Sequence, residues 1–338
     1  MEPRVITVDP LDPDPAALAP AVEALCAGRL VAMPTETVYG LAGRADDPAA
    51  VAAIFAAKGR PAYNPLIVHV ASIEAARALT TAWSPLADTL ARAFWPGPLT
   101  LVVPRDRARV PDIVAAHGPT VAIRVPAHPV ALALLRASGL NLAAPSANRF
   151  QRLSPTAAAH VVAGLGDRVS LVLDGGPCQY GIESTVLKID GETATLLRPG
   201  ALSVEALRPY VDTVNIAPPV APAEGGEALP SPGMVAKHYA PETPVWVVDG
   251  GDLDEAVGAL RRDGVTRIGV LRCGASGALA GASVTALDAR PEVYAAGLFA
   301  ALHALDGAGY EALLVEAVPD TEGWLAVRDR LRRAARVE

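Results

Sequence analysis

Cysteine is scarce in this chain: three residues in 338, Cys26, Cys178 and Cys273, far apart, odd in number and never in a CxxC pair. That argues against a disulfide framework or structural zinc and points to a reducing compartment. Long unbroken apolar runs are missing, so no membrane span is expected. Residues 1–20 carry Asp9, Asp12 and Asp14 among prolines, where a signal peptide would have a basic stretch followed by an apolar run. Positive charge is in deficit, 29 Lys and Arg against 36 Asp and Glu, a formal net charge of -7. No overall field therefore favours nucleic acid or an anionic membrane, and a cytoplasmic protein is expected. Familiar catalytic signatures are absent too: no Ser/His/Asp ordering, GxSxG elbow, Walker lysine loop, zinc spacing or EF-hand, and the six histidines are scattered. Chemistry here should rest on positioning and charge neutralisation rather than on a protein nucleophile or a protein-held transition metal.

What the chain has is apolar bulk, 51% hydrophobic residues, and proline, 31 residues beside 29 glycines. The length suggests two domains. Several prolines follow a Ser or Asp at the start of an alanine-rich, helix-period segment: Asp14-Pro15, Asp47-Pro48, Ser84-Pro85 and Ser154-Pro155. This cap-plus-proline signature predicts helices at about 15–27, 48–57, 85–94 and 155–163. Short β-branched runs lie between them, at 5–8, 30–33, 66–70, 99–103, 120–125, 140–143 and 170–173, so this part reads as α/β. Asp190-Gly191 between 184–189 and 192–197 signals a hairpin that pairs Ile189 with Glu192 and gathers Glu183, Ser184 and Arg198 at its open end. Strict alternation puts Ser184 and Arg198 on opposite faces unless a bulge intervenes.

The composition then shifts to APPVAPAEGGEALPSPG over 217–233, a semi-extended linker. Beyond it, strands at 245–248, 267–271, 284–287 and 312–317 alternate with helices at about 252–262, 291–305 and 321–335, which predicts a smaller Rossmann-like parallel α/β domain. It has no GxGxxG turn, so nothing there implies a dinucleotide. The organisation expected is a catalytic domain 1–210, a linker 211–242 and a C-terminal domain 243–338.

Polar residues cluster in turns after strands of the first domain, where open α/β sheets place ligands. The segment 34–41, PTETVYGL, presents threonine hydroxyls to a small polar substrate, or satisfies its own backbone as a turn. Lys58 either complements a helix C-terminus or joins Arg60 and Asn64 in a proline-stiffened loop suited to a polyanion such as a triphosphate. His69, in an apolar strand, reads more readily as a core residue than as a ligand. Thr120, Ala122 and Arg124 share one face of a strand. An arginine there needs an anion, either a substrate carboxylate or phosphate or a protein carboxylate in a buried ion pair. Ser146, in PSAN, and Ser154, at a helix start, suit a phosphate or ribose site.

Together PTETVYGL (34–41), KGRPAYNPL (58–66), WPGPLT (95–100), RVPAHP (124–129), PSAN (145–148), SPT (154–156), GIESTV (181–186) and LRPG (197–200) resemble the YrdC-like family in order and spacing. SPGMVAKHYAP (231–241) and the appended domain resemble its two-domain members. The resemblance implies a twisted mixed α/β sheet with a large cavity, plus the smaller C-terminal domain. It also implies an activity: condensation of L-threonine, bicarbonate and ATP, with Mg2+, into threonylcarbamoyladenylate and pyrophosphate. The product would pass to the tRNA threonylcarbamoyl-transferase machinery for N6-threonylcarbamoyladenosine, with no membrane and no strong direct tRNA binding. Carried over residue by residue, Thr37, His69, Arg124, Ala144 and Ser184 are implied to bind threonine. Lys58, Arg60, Asn64, Thr120, Ser146, Ser154 and Arg198 are implied to bind ATP, and Gly233, Met234, His238 and Tyr239, with Lys237, to form a lid. No general base is implied. The sequence departs from the family at Arg149, Phe150 and Gln151, where Ser and Gly are common, and at Val235 and Ala236. Rival readings are a carbamoyl-adenylating enzyme of another YrdC type, which lacks support because no acylphosphatase segment or zinc-finger cysteines are present, and a non-enzymatic RNA-binding module, which the net charge disfavours.

Overall fold

The computed structural model describes residues 2–211, 213–217, 229, 238–274 and 277–336; Gly233, Met234, Val235, Ala236 and Lys237 of the expected lid lie outside them. In chain order the strands are β1 (Arg4–Thr7), β2 (Val31–Met33), β3 (Gly40–Arg44), β4 (Ile67–His69), β5 (Leu99–Pro104), β6 (Thr120–Arg124), β7 (Leu142–Ala143), β8 (Leu171–Asp174), β9 (Thr185–Asp190), β10 (Thr193–Arg198), β11 (Val214–Ile216), β12 (Val245–Val248), β13 (Ile268–Cys273), β14 (Ser283–Leu287) and β15 (Ala312–Glu316). The first eleven form one mixed sheet, ordered β1-β8-β2-β3-β7-β4-β6-β5-β9-β10-β11, and the last four a separate sheet, ordered β12-β15-β13-β14. All pairings of the small sheet are parallel. Both parts are the α/β architecture expected, and β11 extends the large sheet into the stretch read as linker.

Three of the proline-led helices start where the caps place them. Asp14, Asp47 and Ser84 accept first-turn amides ahead of Pro15–Cys26, Pro48–Lys58 and Pro85–Phe94. The same device with an imidazole cap escaped the sequence reading: His128 Nδ1 accepts from Val130 N ahead of Pro129–Ser138. The fourth expected helix begins later, at Ala158–Leu165, with no side-chain cap. Ser154 is therefore not a helix cap, and its hydroxyl has another partner described below. The strand β3 was also missed, because two glycines in GLAGR dilute the alternating pattern.

The period-2 rule sorts the centre of the sheet. β4 and β6 run parallel with Ile67 beside Ala122 and His69 beside Arg124. These four side chains share one face, while Val68 and Ile123 turn to the opposite face and enter the main core. The hairpin β9–β10 forms two residues out of the expected register: Thr193 pairs with Asp190 and Ala194 with Ile189, so Gly191 and Glu192 make the turn. Gly191 at φ 59° supplies the left-handed position. The bulge does occur, between Leu196 and Arg198, and brings Arg198 opposite Val186.

The two sheets do not sit as separate beads. One hydrophobic core mixes Val38, Leu153 and Ile182 of the first domain with Tyr239, Tyr294, Leu298, Phe299 and Trp324. Gly181 makes this approach possible: it has φ 66°, and a Cβ there would lie 2.3 Å from Ala296 O in the helix Pro291–Gly307. Gly139 has nearly the same φ, 65°, with nothing within 4 Å of a Cβ. Gly181→Ala should therefore destabilise by the left-handed cost of about 1–2 kcal/mol plus about 1–3 kcal/mol of overpacking, and Gly139→Ala by the first alone. Chemical denaturation of both variants checks this; equal losses would contradict the close domain contact.

Candidate active site

The loop 34–39 connects β2 to β3 and is organised by Thr35. Its hydroxyl donates to Val38 O (2.6 Å) and accepts from the amides of Thr37 and Val38, both at 3.2 Å. Having spent its proton on Val38 O, Thr35 Oγ1 must accept from Thr37 Oγ1 at 2.9 Å. Thr37 Oγ1 in turn accepts from Arg124 Nη1 at 2.8 Å. Arg124 is further fixed by Nε donating to Gly97 O (3.2 Å), and its Nη2 lies 2.5 Å from Glu36 Oε1 in an ion contact whose angle is not that of a hydrogen bond. The sequence left two anions open for Arg124; the structure shows the protein carboxylate, at the edge of a cavity where a second anion has access to the same guanidinium.

About 550 Å³ of atom-free space lies in that cavity and its mouth, open solvent included. Thr37, His69, Arg124, Ala144 and Ser184 all line it, as do Arg60, Ser146 and Arg198, and His238 and Tyr239 form part of its wall. Lys58 stands behind Ser146: Nζ donates to Ser146 O and Asn148 O, both at 2.5 Å. Burial, reinforced by Arg60, pushes the Lys58 ammonium well below its ordinary pKa, with Glu183 opposing. Asn64 braces Arg60, whose Nη2 donates to Asn64 Oδ1 (2.6 Å) and Pro65 O (2.7 Å). Burial first, then the Arg198 cation, lowers Arg60 to about 9. Arg198 Nη2 donates to Ser184 O (2.8 Å) and Ser184 Oγ (3.1 Å), and Ser184 Oγ also contacts Thr100 Oγ1 at 2.8 Å. Ser154 Oγ donates to Glu183 Oε1 at 2.5 Å. Thr120 is the outlier of the set. It shares the face of Arg124 but lines a neighbouring hollow with Pro65, Ala122, Lys188 and Leu229.

Between these lies an apolar floor of Ile67, Val102, Ala122, Val186 and Leu197, on which Leu229 rests. Thr35 and Glu183 also line the cavity; the sequence reading has them within quoted motifs, and Glu183 at the open end of the hairpin, without a binding role for either. A Thr-x-Thr turn with its own side-chain bonding was the available signal for the first. The family departures have a visible use: Phe150 meets His238 edge-on at 6.0 Å, and Gln151 O accepts from Ala240 N at 2.9 Å. They hold the end of the segment that walls the cavity.

Lys58, Arg60 and Arg198 share one property. All three are buried, and among the described residues none has a carboxylate oxygen within 4.0 Å. Their bonds go to carbonyls, an amide and a hydroxyl. Burial of these groups among neutral acceptors carries a desolvation cost, which lowers the pKa of each, and an incoming anion offsets it. The chain thus combines an arginine-threonine-histidine pocket with an adjoining unneutralised cationic wall.

The Sua5/YciO/YrdC family model, described as "Telomere recombination", matches residues 23–200, and the model described as "Threonylcarbamoyl-AMP synthase, C-terminal domain" matches residues 202–336. The chain belongs to this family. It is 40% identical over 314 residues to a threonylcarbamoyl-AMP synthase of Pyrococcus abyssi, covering 91% of each chain, and 39% identical over 337 residues to one of Bacillus subtilis, covering 98% of this chain and 96% of that one. The crystal structure of P. abyssi Sua5 complexed with L-threonine superimposes with a TM-score of 0.91 at 37% identity, covering 99% of this chain and 100% of that one. The chain is therefore an enzyme with the family's fold.

His69 carries a pH consequence. Burial, then the Arg124 cation, lowers its pKa to about 3, and Nδ1 has no hydrogen-bond partner. The unfolded chain binds a proton near pH 6.5 that the folded chain refuses, so the contribution of His69 is fully present above that pH and is lost as pH falls towards 3, at ~1.4 kcal/mol per unit. His69→Gln should show a smaller drop in melting temperature between pH 7 and pH 5 than the parent. An equal drop would place the acid sensitivity elsewhere.

Proposed function

We propose that this enzyme condenses L-threonine, bicarbonate and ATP into threonylcarbamoyl-AMP and pyrophosphate, and that the product serves the N6-threonylcarbamoylation of tRNA adenosine in the cytoplasm. The observation that carries the reading is the wall of buried cations without carboxylates beside the Arg124-Thr37-His69 pocket. A small amino acid fits the pocket and a triphosphate fits the wall. The threonine complex of the P. abyssi relative and the names of the curated relatives point the same way. No described helix is long and apolar enough to cross a membrane.

In this reading the threonine carboxylate shares the Arg124 guanidinium, held flat by Gly97, Thr37 and Glu36. Ser184 and neutral His69 offer hydrogen-bonding partners to its hydroxyl and amine. The unprotonated amine attacks the bicarbonate carbon, the C–OH bond breaks, and the departing hydroxide takes the proton shed by nitrogen and leaves as water, giving N-carboxythreonine. Its carboxylate oxygen then bonds to the α-phosphorus of ATP, and the α–β bridging bond breaks so that pyrophosphate leaves with the electron pair. Lys58, Arg60 and Arg198 offset the charge on the departing group, which is electrostatic catalysis by groups already in place. The apolar floor beneath Leu229, with Thr120 at its edge, suits the base and ribose. Magnesium would enter with the nucleotide phosphates, as part of the substrate. His238 and Tyr239, in the cavity wall, would help to exclude water from the mixed anhydride.

Mass spectrometry after incubation with the three substrates tests this. Threonylcarbamoyl-AMP and pyrophosphate should appear together and vanish when any one substrate is omitted. Pyrophosphate released without threonine, or tight tRNA binding without turnover, would contradict the proposal.

A further inference from the structure

Among the described residues lining the cavity Glu183 is the one carboxylate, and it sits between elements of both domains. Its Oε1 accepts from Ser154, and its Oε2 accepts from Arg330 Nε at 2.9 Å. Arg330 belongs to the C-terminal helix Leu325–Ala334, yet its side chain is fully buried. The same guanidinium donates through Nη1 to Pro199 O at 2.6 Å and lies 5.2 Å from the centre of the Tyr239 ring. The neighbouring turn is packed tightly against the Glu183 segment: a Cβ on Gly200 would lie 2.4 Å from Ser184 C and 2.5 Å from Glu183 O. A second C-terminal side chain reaches the same corner, with His303 Nε2 donating to Ser154 O at 3.1 Å. The C-terminal domain thus holds both partners of the Ser154-Glu183 bond from behind.

Fixing Glu183 matters because it lines the same cavity as Arg60 and Arg198, cations assigned to the nucleotide. Its field already acts on Lys58 and Arg198. A freely rotating carboxylate at this position would pair with them and fill the site that phosphate needs. We infer that Arg330 is a positioning residue of the active site, contributed by the C-terminal domain, which holds Glu183 away from Arg198 and Lys58 and so keeps these cations available to the triphosphate. This rests on the proposed function, and it assigns the appended domain a part in nucleotide binding beyond covering the cavity.

The test compares Arg330→Met, Glu183→Gln and the double variant in steady-state turnover, with folding checked by circular dichroism. Arg330→Met should raise the KM for ATP on the order of 10- to 100-fold while the KM for threonine moves by about threefold or less. Adding Glu183→Gln should restore most of the ATP affinity, because a neutral amide does not compete for the cations. A structural role alone would raise both constants together and would not be rescued, and either result would overturn the inference. If Arg330→Met alone does not fold, the double variant should match Glu183→Gln within about twofold, since Arg330 acts through Glu183; a further loss of ATP affinity would be contrary. If the parent makes no product, the functional reading fails, and the same comparison is judged on ATP binding by calorimetry. A parent that binds no ATP overturns both.

Discussion

Buried positive charge with no carboxylate of the described residues within 4.0 Å is the constraint on which this structure turns. Lys58, Arg60 and Arg198 are taken out of water and given only carbonyls, an amide oxygen and a hydroxyl as partners. Such groups are tolerated when their donors are satisfied and their surroundings cannot relax around them. The prolines serve that end. Pro61 and Pro65 stiffen the loop carrying Asn64 and the carbonyls that hold Arg60, and Pro145 precedes the segment whose carbonyls receive Lys58. The bulge in β10 does the same for Arg198 by turning it onto Ser184.

The C-terminal domain completes the enclosure. Its helices share a core with Val38, Leu153 and Ile182, next to three of the cavity's own segments. Tyr239, at φ 64°, holds a left-handed conformation unusual for a side chain of its size, with its ring against Phe299 and beneath Arg330. Strain at that residue is sustained only by packing on both sides, which ties the conformation of the cavity wall to the docking of the second domain.

Much of this was legible in the sequence, for reasons that differ by residue. Local rules place the caps at Asp14, Asp47 and Ser84, because a hydroxyl or carboxylate followed by proline has few other solutions. The shared face of Thr120, Ala122 and Arg124 follows from strand period alone. The motif resemblance selects residues that gather around the cavity; the contacts by which Lys58 donates to Ser146 O and Asn64 accepts from Arg60 appear only in the folded chain. Ser154 was misread as a cap because a serine before proline looks the same whether its hydroxyl turns to an amide or to a distant carboxylate. The hairpin turn was placed one residue early because Asp190-Gly191 and Gly191-Glu192 both offer a glycine to the turn. Arg330 was invisible: in RDRLRRA it reads as one more charge on a solvated helix face, and only the packing of two domains reveals that this arginine, like Arg333, is buried.

The central claim is that the cavity carries buried positive charge in want of a polyanion, and thermal unfolding with pyrophosphate alone tests it most directly. A ligand that binds only the folded chain stabilises it by mass action. The account predicts a melting temperature that rises saturably with pyrophosphate, well beyond the effect of sodium chloride at matched ionic strength. Identical curves in the two salts would contradict it.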